Sequence, residues 1–173
     1  AATPEPGLEH LRARVRALPD GPAALFVHYW SAHTPYGATD GQAGGAVGRL
    51  LAAGRLRQVR ERYAAAVQQT LERKLAPLLA GLDRGRWAMV VCSDHGESWT
   101  PEEPYHGQTL RNSVLRVPLY LHLPGVPPGA YQGLAAAAAA APVSLVDVAP
   151  TVVRYLGIPF PNRCAGRGLL MFG

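Results

Sequence analysis

Residues 8–18 (LEHLRARVRAL) put Leu8, Leu11, Val15 and Leu18 on one face at a 3.6-residue period. That spacing predicts a short amphipathic helix, closed by the turn residues of 19–22, PDGP. The run at 23–29 (AALFVHY) is short, apolar and bounded by turn residues, the pattern of a strand buried on both faces of a parallel sheet. Residues 35–48 are glycine-rich and read as a loop. From about Leu56 a helical period resumes through Val59, Tyr63, Val67, Leu71, Leu75, Leu78 and Leu82, with Pro77 marking a kink or break near its end. Residues 87–92 (WAMVVC) predict a second buried strand, so strand, helix and strand form a βαβ unit with a right-handed crossover.

Beyond it, residues 93–112 are polar and carry Pro, Gly, acids and histidines, too long a connection to be idle. Residues 117–123 (VPLYLHL) predict a third strand with Pro118 at its start or on an edge. The alanine run at 135–141 offers little side chain to pack and reads as a linker or surface turn. Residues 143–156 predict a helix with Asp147 near its start and Pro150 in its first turns, ending at Gly157, and residues 158–173 form a loop-like tail.

Composition narrows the classes. The chain has 173 residues, one domain's worth, and with 48% hydrophobic against 17% charged residues it has the material for a core. Disorder is excluded as a whole-chain answer. Two distant cysteines, Cys92 and Cys164, make no disulfide framework, and no stretch approaches the roughly 20 apolar residues of a membrane helix. The net charge of +5 comes from arginines, with Lys74 the one lysine. Those arginines are scattered from Arg12 to Arg167 without a compact basic patch and interleaved aromatics, so nucleic acid is not the expected partner.

Three clusters carry chemistry, and all fall in loops after expected strands, where open α/β sheets bind ligands. Ser93-Asp94-His95-Gly96-Glu97 can turn a carboxylate and an imidazole toward one cation, and oxygen plus nitrogen ligation suits Mn, Zn or Ca. Taken alone, the pair reads more plainly as an Asp cap with a surface His. His33-Thr34-Pro35-Tyr36 holds an imidazole on a Pro turn, able to donate to an anionic oxygen or to protonate a leaving group. The plainer reading is a loop His with a Tyr covering the core edge. Tyr105-His106-Gly107 comes after the acidic stretch Glu102-Glu103 and offers a further anion donor, or simply a solvated His.

The order of these pieces is what identifies them. HTPY at 33–36, a helix with Tyr63 to Val67, VVCSDHGE at 90–97, HGQTL at 106–110, RVPL at 116–119, Pro124-Gly125, the stretch 143–151 with Gly157, and 166–170 together resemble the sulfatase family of the alkaline phosphatase superfamily. The likeness runs from about residue 23 to 170 and is to the later part of that family's catalytic domain. It implies an α/β fold with a doubly wound, mostly parallel sheet, present here as a partial domain, residues 1–173 being its C-terminal portion. The activity implied is hydrolysis of a sulfuric ester at a divalent cation (Ca, Mn or Zn). Phosphoryl or phosphoethanolamine transfer, and phosphonate or phosphodiester hydrolysis, are the alternatives within the superfamily; a non-catalytic remnant that binds anions or a partner is the alternative outside enzymes.

By the same resemblance Asp94 and His95 are metal ligands, His33 and His106 contact the oxygens of an anionic ester substrate, and Glu97 supports the metal turn from behind. The family's nucleophile, in a Cys/Ser-x-Pro-x-Arg motif or as a Thr in phospho-transferring relatives, has no counterpart in this stretch. Cys164-Ala165-Gly166-Arg167 lacks the Pro and places its Arg one position early. Cys92 is expected to be an inert core thiol and Ser93 part of the metal turn. The nucleophile and a second pair of acidic ligands are therefore expected from an N-terminal half outside these residues. Leu71 stands near where relatives often carry Asp.

Overall fold

The computed structural model describes residues 7–37, 43–159 and 165–170. They form two compact units, residues 1–83 with 96–115 and residues 84–95 with 116–173, each described by itself.

The first unit is helical. α1 (Leu8–Arg16) forms as its period demands, with Leu11 buried, and Arg12 donates to the Pro77 carbonyl at 3.3 Å. α2 (Ala43–Ala52) begins inside the stretch 35–48 that the glycine content marked as loop and runs on beyond it. The signal that outweighs the glycines is Val47, Leu50 and Leu51 at helical spacing, which bury against α3 (Leu56–Thr70). The core of this unit is Tyr36, Val47, Val59 and Ala66, with Tyr63, Trp99 and Tyr105 packed on it.

α3 does not run straight on to Leu82. It widens into a π-helical turn (Leu71–Leu75) and resumes as α4 (Ala76–Ala80). The backbone N–H of Ala76 reaches back five residues to the Leu71 carbonyl. Pro77 has no N–H to offer the carbonyl four residues earlier, and Thr70 Oγ1 already binds the Ala66 carbonyl at 2.8 Å. Both disturb the ordinary ladder, so the break expected at Pro77 is absorbed in the turn before it.

Residues 23–29 depart from expectation. Leu25, Val27 and Tyr29 are half-buried while Phe26, His28 and Trp30 are exposed, Phe26 at 89%. That alternation is strand-like, yet among the described residues the segment joins no ladder. An apolar run records a tendency to be covered; it does not supply the neighbouring backbone that makes a strand. The expected βαβ unit is therefore not seen.

In the second unit β1 (Met89–Cys92) pairs with β2 (Leu119–His122), antiparallel, with Met89 opposite His122 and Cys92 opposite Leu119. Both strands fall inside their expected ranges, and Pro118 immediately precedes β2. Neither is buried on both faces; with one partner each among the described residues, the strands stay half-covered, and Cys92 is exposed rather than a core thiol. A short α5 (Asn112–Leu115) in the first unit closes the long polar loop. The alanine run, expected as a linker, is helical: α6 (Pro128–Ala140) starts on a Pro suited to a first turn and continues on the best helix former. Its anchor is Tyr131, whose hydroxyl accepts from Leu123 N–H at 2.8 Å and donates to the Leu123 carbonyl at 3.1 Å.

α7 (Val148–Tyr155) comes after a 3₁₀ turn (Leu145–Asp147) opened by a capping box between Ser144 and Asp147. Asp147 is buried and also accepts the Arg167 backbone N–H at 2.7 Å, while fully buried Thr151 accepts from Leu169 N–H at 2.8 Å. These two side chains staple the tail to α7. A Cβ at Gly166 would collide with the Val146 carbonyl oxygen, so only glycine lets the tail lie this close. Residues 160–164, with Cys164 of the incomplete nucleophile motif, lie outside the described residues.

The Arg167 N–H, then the Ser144 N–H, hold the Asp147 carboxyl below its ordinary value of 3.8. A lowered pKa gives stability that is fully present above the ordinary value and lost as pH falls through the lowered one. Denaturant titrations across pH should show that Asp147→Asn destabilises the chain at neutral pH and that its deficit against the parent shrinks below about pH 4. A pH-independent deficit would contradict this.

Candidate active site

Two constellations carry the expected site residues, one in each unit. In the first unit, residues 30–36 fold into consecutive turns: His33 N–H donates to the Trp30 carbonyl at 2.9 Å and Tyr36 N–H to the His33 carbonyl at 2.7 Å. Tyr36 has a φ of 58°, a left-handed conformation that a bulky residue holds only when its surroundings demand it. The demand is burial: Tyr36 is 4% exposed, edge-on to Tyr63 at 5.5 Å and tilted on Trp99 at 6.2 Å. Trp99 has a φ of 61° in the same cluster. Tyr36 does cover the core edge, and its burial has a polar consequence.

Glu97 is that consequence. Its side chain is buried, with Oε2 accepting from His106 Nδ1 at 3.2 Å and Oε1 facing the Tyr36 hydroxyl at 3.5 Å. A carboxylate only accepts, so His106 carries its proton on Nδ1. His33 Nδ1 lies 2.9 Å from the Thr34 carbonyl, which likewise only accepts, and the same tautomer results. The rings of His33 and His106 meet edge to face at 5.8 Å between centroids. Two imidazoles from sequence-distant loops are thus brought together.

The loop bearing His106 is tied down by Glu103, whose role the sequence did not disclose. Glu103 is buried and accepts the Thr109 hydroxyl, the Thr109 N–H at 2.8 Å and the Gln108 N–H at 3.0 Å, bracketing His106. Those bonds, the Thr109 hydroxyl first, hold its carboxyl below the ordinary range. Glu97 is seated by its neighbour: Gly96 N–H donates to the Val114 carbonyl at 2.7 Å, and a Cβ at Gly96 would collide with the Ser113 carbonyl oxygen. Any other residue would push the backbone carrying Glu97 off α5.

In the second unit, Asp94 and His95 stand directly after β1. His95 N–H donates to Asp94 Oδ1 at 3.0 Å, and His95 Nε2 stands 3.6 Å from Asp94 Oδ2. Ser93 Oγ donates to the His95 carbonyl at 2.7 Å, closing the turn. Carboxylate and imidazole face one another, a donor pair of the chemistry that suits a divalent cation. Among the described residues no group of three or more His, Cys, Asp and Glu is arranged to hold a metal. No described helix is long and apolar enough to cross a membrane.

A family model described as Sulfatase matches residues 8–158. The chain belongs to the sulfatase family. Membership implies the alkaline-phosphatase-like α/β fold. Family relatives lie on both sides of the superfamily: the chain is 34% identical over 96 residues to the 2,3-bisphosphoglycerate-independent phosphoglycerate mutase of Dinoroseobacter shibae, covering 56% of this chain and 17% of that protein. It is 30% identical over 82 residues to human arylsulfatase K, covering 47% of this chain and 14% of that protein, and 29% identical over 119 residues to the Danio rerio arylsulfatase K, covering 66% and 21%. The matched stretch is therefore about a fifth or less of each relative's length. No solved structure gives a significant match.

Burial first, and then the Glu97 charge, raises the phenol pKa values of Tyr36, Tyr63 and Tyr105. Ultraviolet titration of the tyrosines should show Glu97→Gln moving the most alkaline phenols to lower pH, though not to the ordinary value, because burial remains. Phenols that titrate as in the parent would show that Glu97 carries no charge beneath them.

Proposed function

We propose that this chain is the histidine-bearing part of a sulfatase-type catalytic domain that hydrolyses a sulfuric ester at a divalent cation. The observation that carries this reading is the His33–His106 pair, edge to face at 5.8 Å with the Glu97 carboxylate behind His106, inside a sulfatase-family match. An ester in transfer gathers negative charge on its equatorial and bridging oxygens. Two imidazoles aimed by their Nδ1 bonds stabilise that charge, or deliver a proton to the departing oxygen, when Nε2 is protonated as well, since a ring protonated on Nδ1 alone offers only a lone pair there.

Asp94 and His95 would hold the cation, Ca, Mn or Zn, which when bound supplies charge stabilisation to the ester oxygens and the nucleophile. The nucleophile itself, a Cys, Ser or Thr, would come from an N-terminal portion acting with these residues. In the complete domain the sheet would be doubly wound and mostly parallel, with residues 23–29 as one of its strands. The phosphoglycerate mutase similarity favours a second reading, phosphoryl transfer at the same constellation, because imidazole donors serve phosphate and sulfate esters alike.

The test is turnover of p-nitrophenyl sulfate and p-nitrophenyl phosphate by the full-length protein. His33→Ala and His106→Ala should each lower kcat by about 10²–10³, the loss usual for one transition-state donor, and a preference for the sulfate ester decides for the first reading. Rates indifferent to both substitutions would reduce the chain to a non-catalytic anion- or partner-binding domain. Calorimetric titration of Mn or Ca into these 173 residues should give affinity no tighter than about millimolar, since two ligands leave most of the shell to water. Micromolar binding abolished by Asp94→Ala would show the metal site to be complete within the chain.

A further inference from the structure

Lys74 lies within the π turn Leu71–Leu75 and is the one lysine of the chain. It is half-buried, its ammonium donates to Ser31 Oγ at 2.7 Å, and it stands 5.9 Å from the centre of the Tyr29 ring. Widening the helix by one residue rotates the side chains of the turn about the axis, so the π turn decides which way Lys74 faces. It faces residues 29–31, the stem of the segment that carries His33. From that stem the path to the imidazole is short: the Trp30 carbonyl receives the His33 N–H at 2.9 Å, and the Trp30 ring meets the His33 ring at 5.1 Å.

Among the described residues no sheet supports this segment. Residues 23–29 join no ladder among the described residues, and Phe26 and Trp30 are exposed. Sheet hydrogen bonding therefore does not fix the stem, whereas an ammonium seated on a hydroxyl and beside an aromatic face fixes it at two side chains, residues 29 and 31, on the same side of an alternating backbone.

We propose that Lys74 is a positioning residue for His33: set by the π turn, it clamps Ser31 and Tyr29 and so holds the His33 ring against His106. This rests on the reading of His33 as a group that meets an ester oxygen, but the clamp is a matter of geometry and is measured without turnover. Arginine, longer and planar, can keep the charge and reach Ser31 but does not reproduce a point ammonium over Tyr29, so it should restore the arrangement only in part.

The experiment is NMR on the isotopically labelled chain, monitoring the ring-proton NOE between His33 and His106 and the methyl signals of Val47 and Val59. Lys74→Met, which keeps the apolar stem, should weaken that NOE at least threefold and move the His33 ring signals while the two valines stay in place. Ser31→Ala, which leaves the helix untouched, should do the same, and Lys74→Arg should recover part of the NOE. An NOE and His33 signals unchanged in Ser31→Ala overturn the clamp, whether or not Lys74→Met folds. Adding inorganic sulfate or phosphate separates the two ideas: a clamp that behaves as stated while neither anion moves the His33 or His106 signals refutes the ester-binding reading and leaves the clamp standing.

Discussion

A buried carboxylate needs partners, and Glu97 finds them in Tyr36 and His106. Most of the first unit is arranged to meet that need. Stripping a carboxylate of water costs several kcal/mol unless donors replace it. The Tyr36 hydroxyl reaches Oε1 only because the 30–36 turn drives the ring inward, at a positive φ, onto Tyr63 and Trp99. His106 reaches Oε2 only because Glu103 gathers the N–H groups on its C-terminal side. Each donor is itself held by packing or by a second buried acid, so the His106 imidazole is fixed two layers deep.

The same constraint explains why the site is assembled from loops. A strand or helix interior uses its backbone donors on itself, whereas much of the polar stretch 96–111 directs its donors elsewhere: Gln108 and Thr109 N–H to the Glu103 side chain, Ser98 N–H to the Tyr105 carbonyl. The stretch is thereby ordered without regular structure. Gly96 marks where it leaves the neighbouring backbone no room for a side chain.

The features that were legible in the sequence and those that were hidden divide along physical lines. Local periodicity was legible: α1, the start of α3, both strands and the 144–155 region stand where spacing puts them. The π turn was half legible, since Pro77 announces a fault but not where the helix absorbs it. α2 was hidden because glycine content masks three well-spaced apolar residues, and α6 because an alanine run says nothing of the Tyr131 anchor that gives it a place. The parallel βαβ unit was an inference about partners, and a run such as 23–29 does not name its partner; the ladder observed is antiparallel, between 89–92 and 119–122. The motifs singled out the two histidines whose rings the structure brings together, whereas the burial of Glu97 and Glu103 was not legible, because acids that face water and acids that organise a core look alike in one sequence.

Sulfatases and phosphoglycerate mutases both appear among the relatives, and the geometry of this chain makes that unsurprising. Sulfuryl and phosphoryl groups are tetrahedral and present oxygens at similar spacing, differing chiefly in charge. A pair of imidazolium donors would serve either group, and an oxygen–nitrogen pair such as Asp94 and His95 would serve the cation of either chemistry. Discrimination therefore has to come from the net charge around the group and from the nucleophile. On the proposed reading the His33–His106–Glu97 arrangement would set where the oxygens are met, and the charges placed around them would set which ester is cleaved.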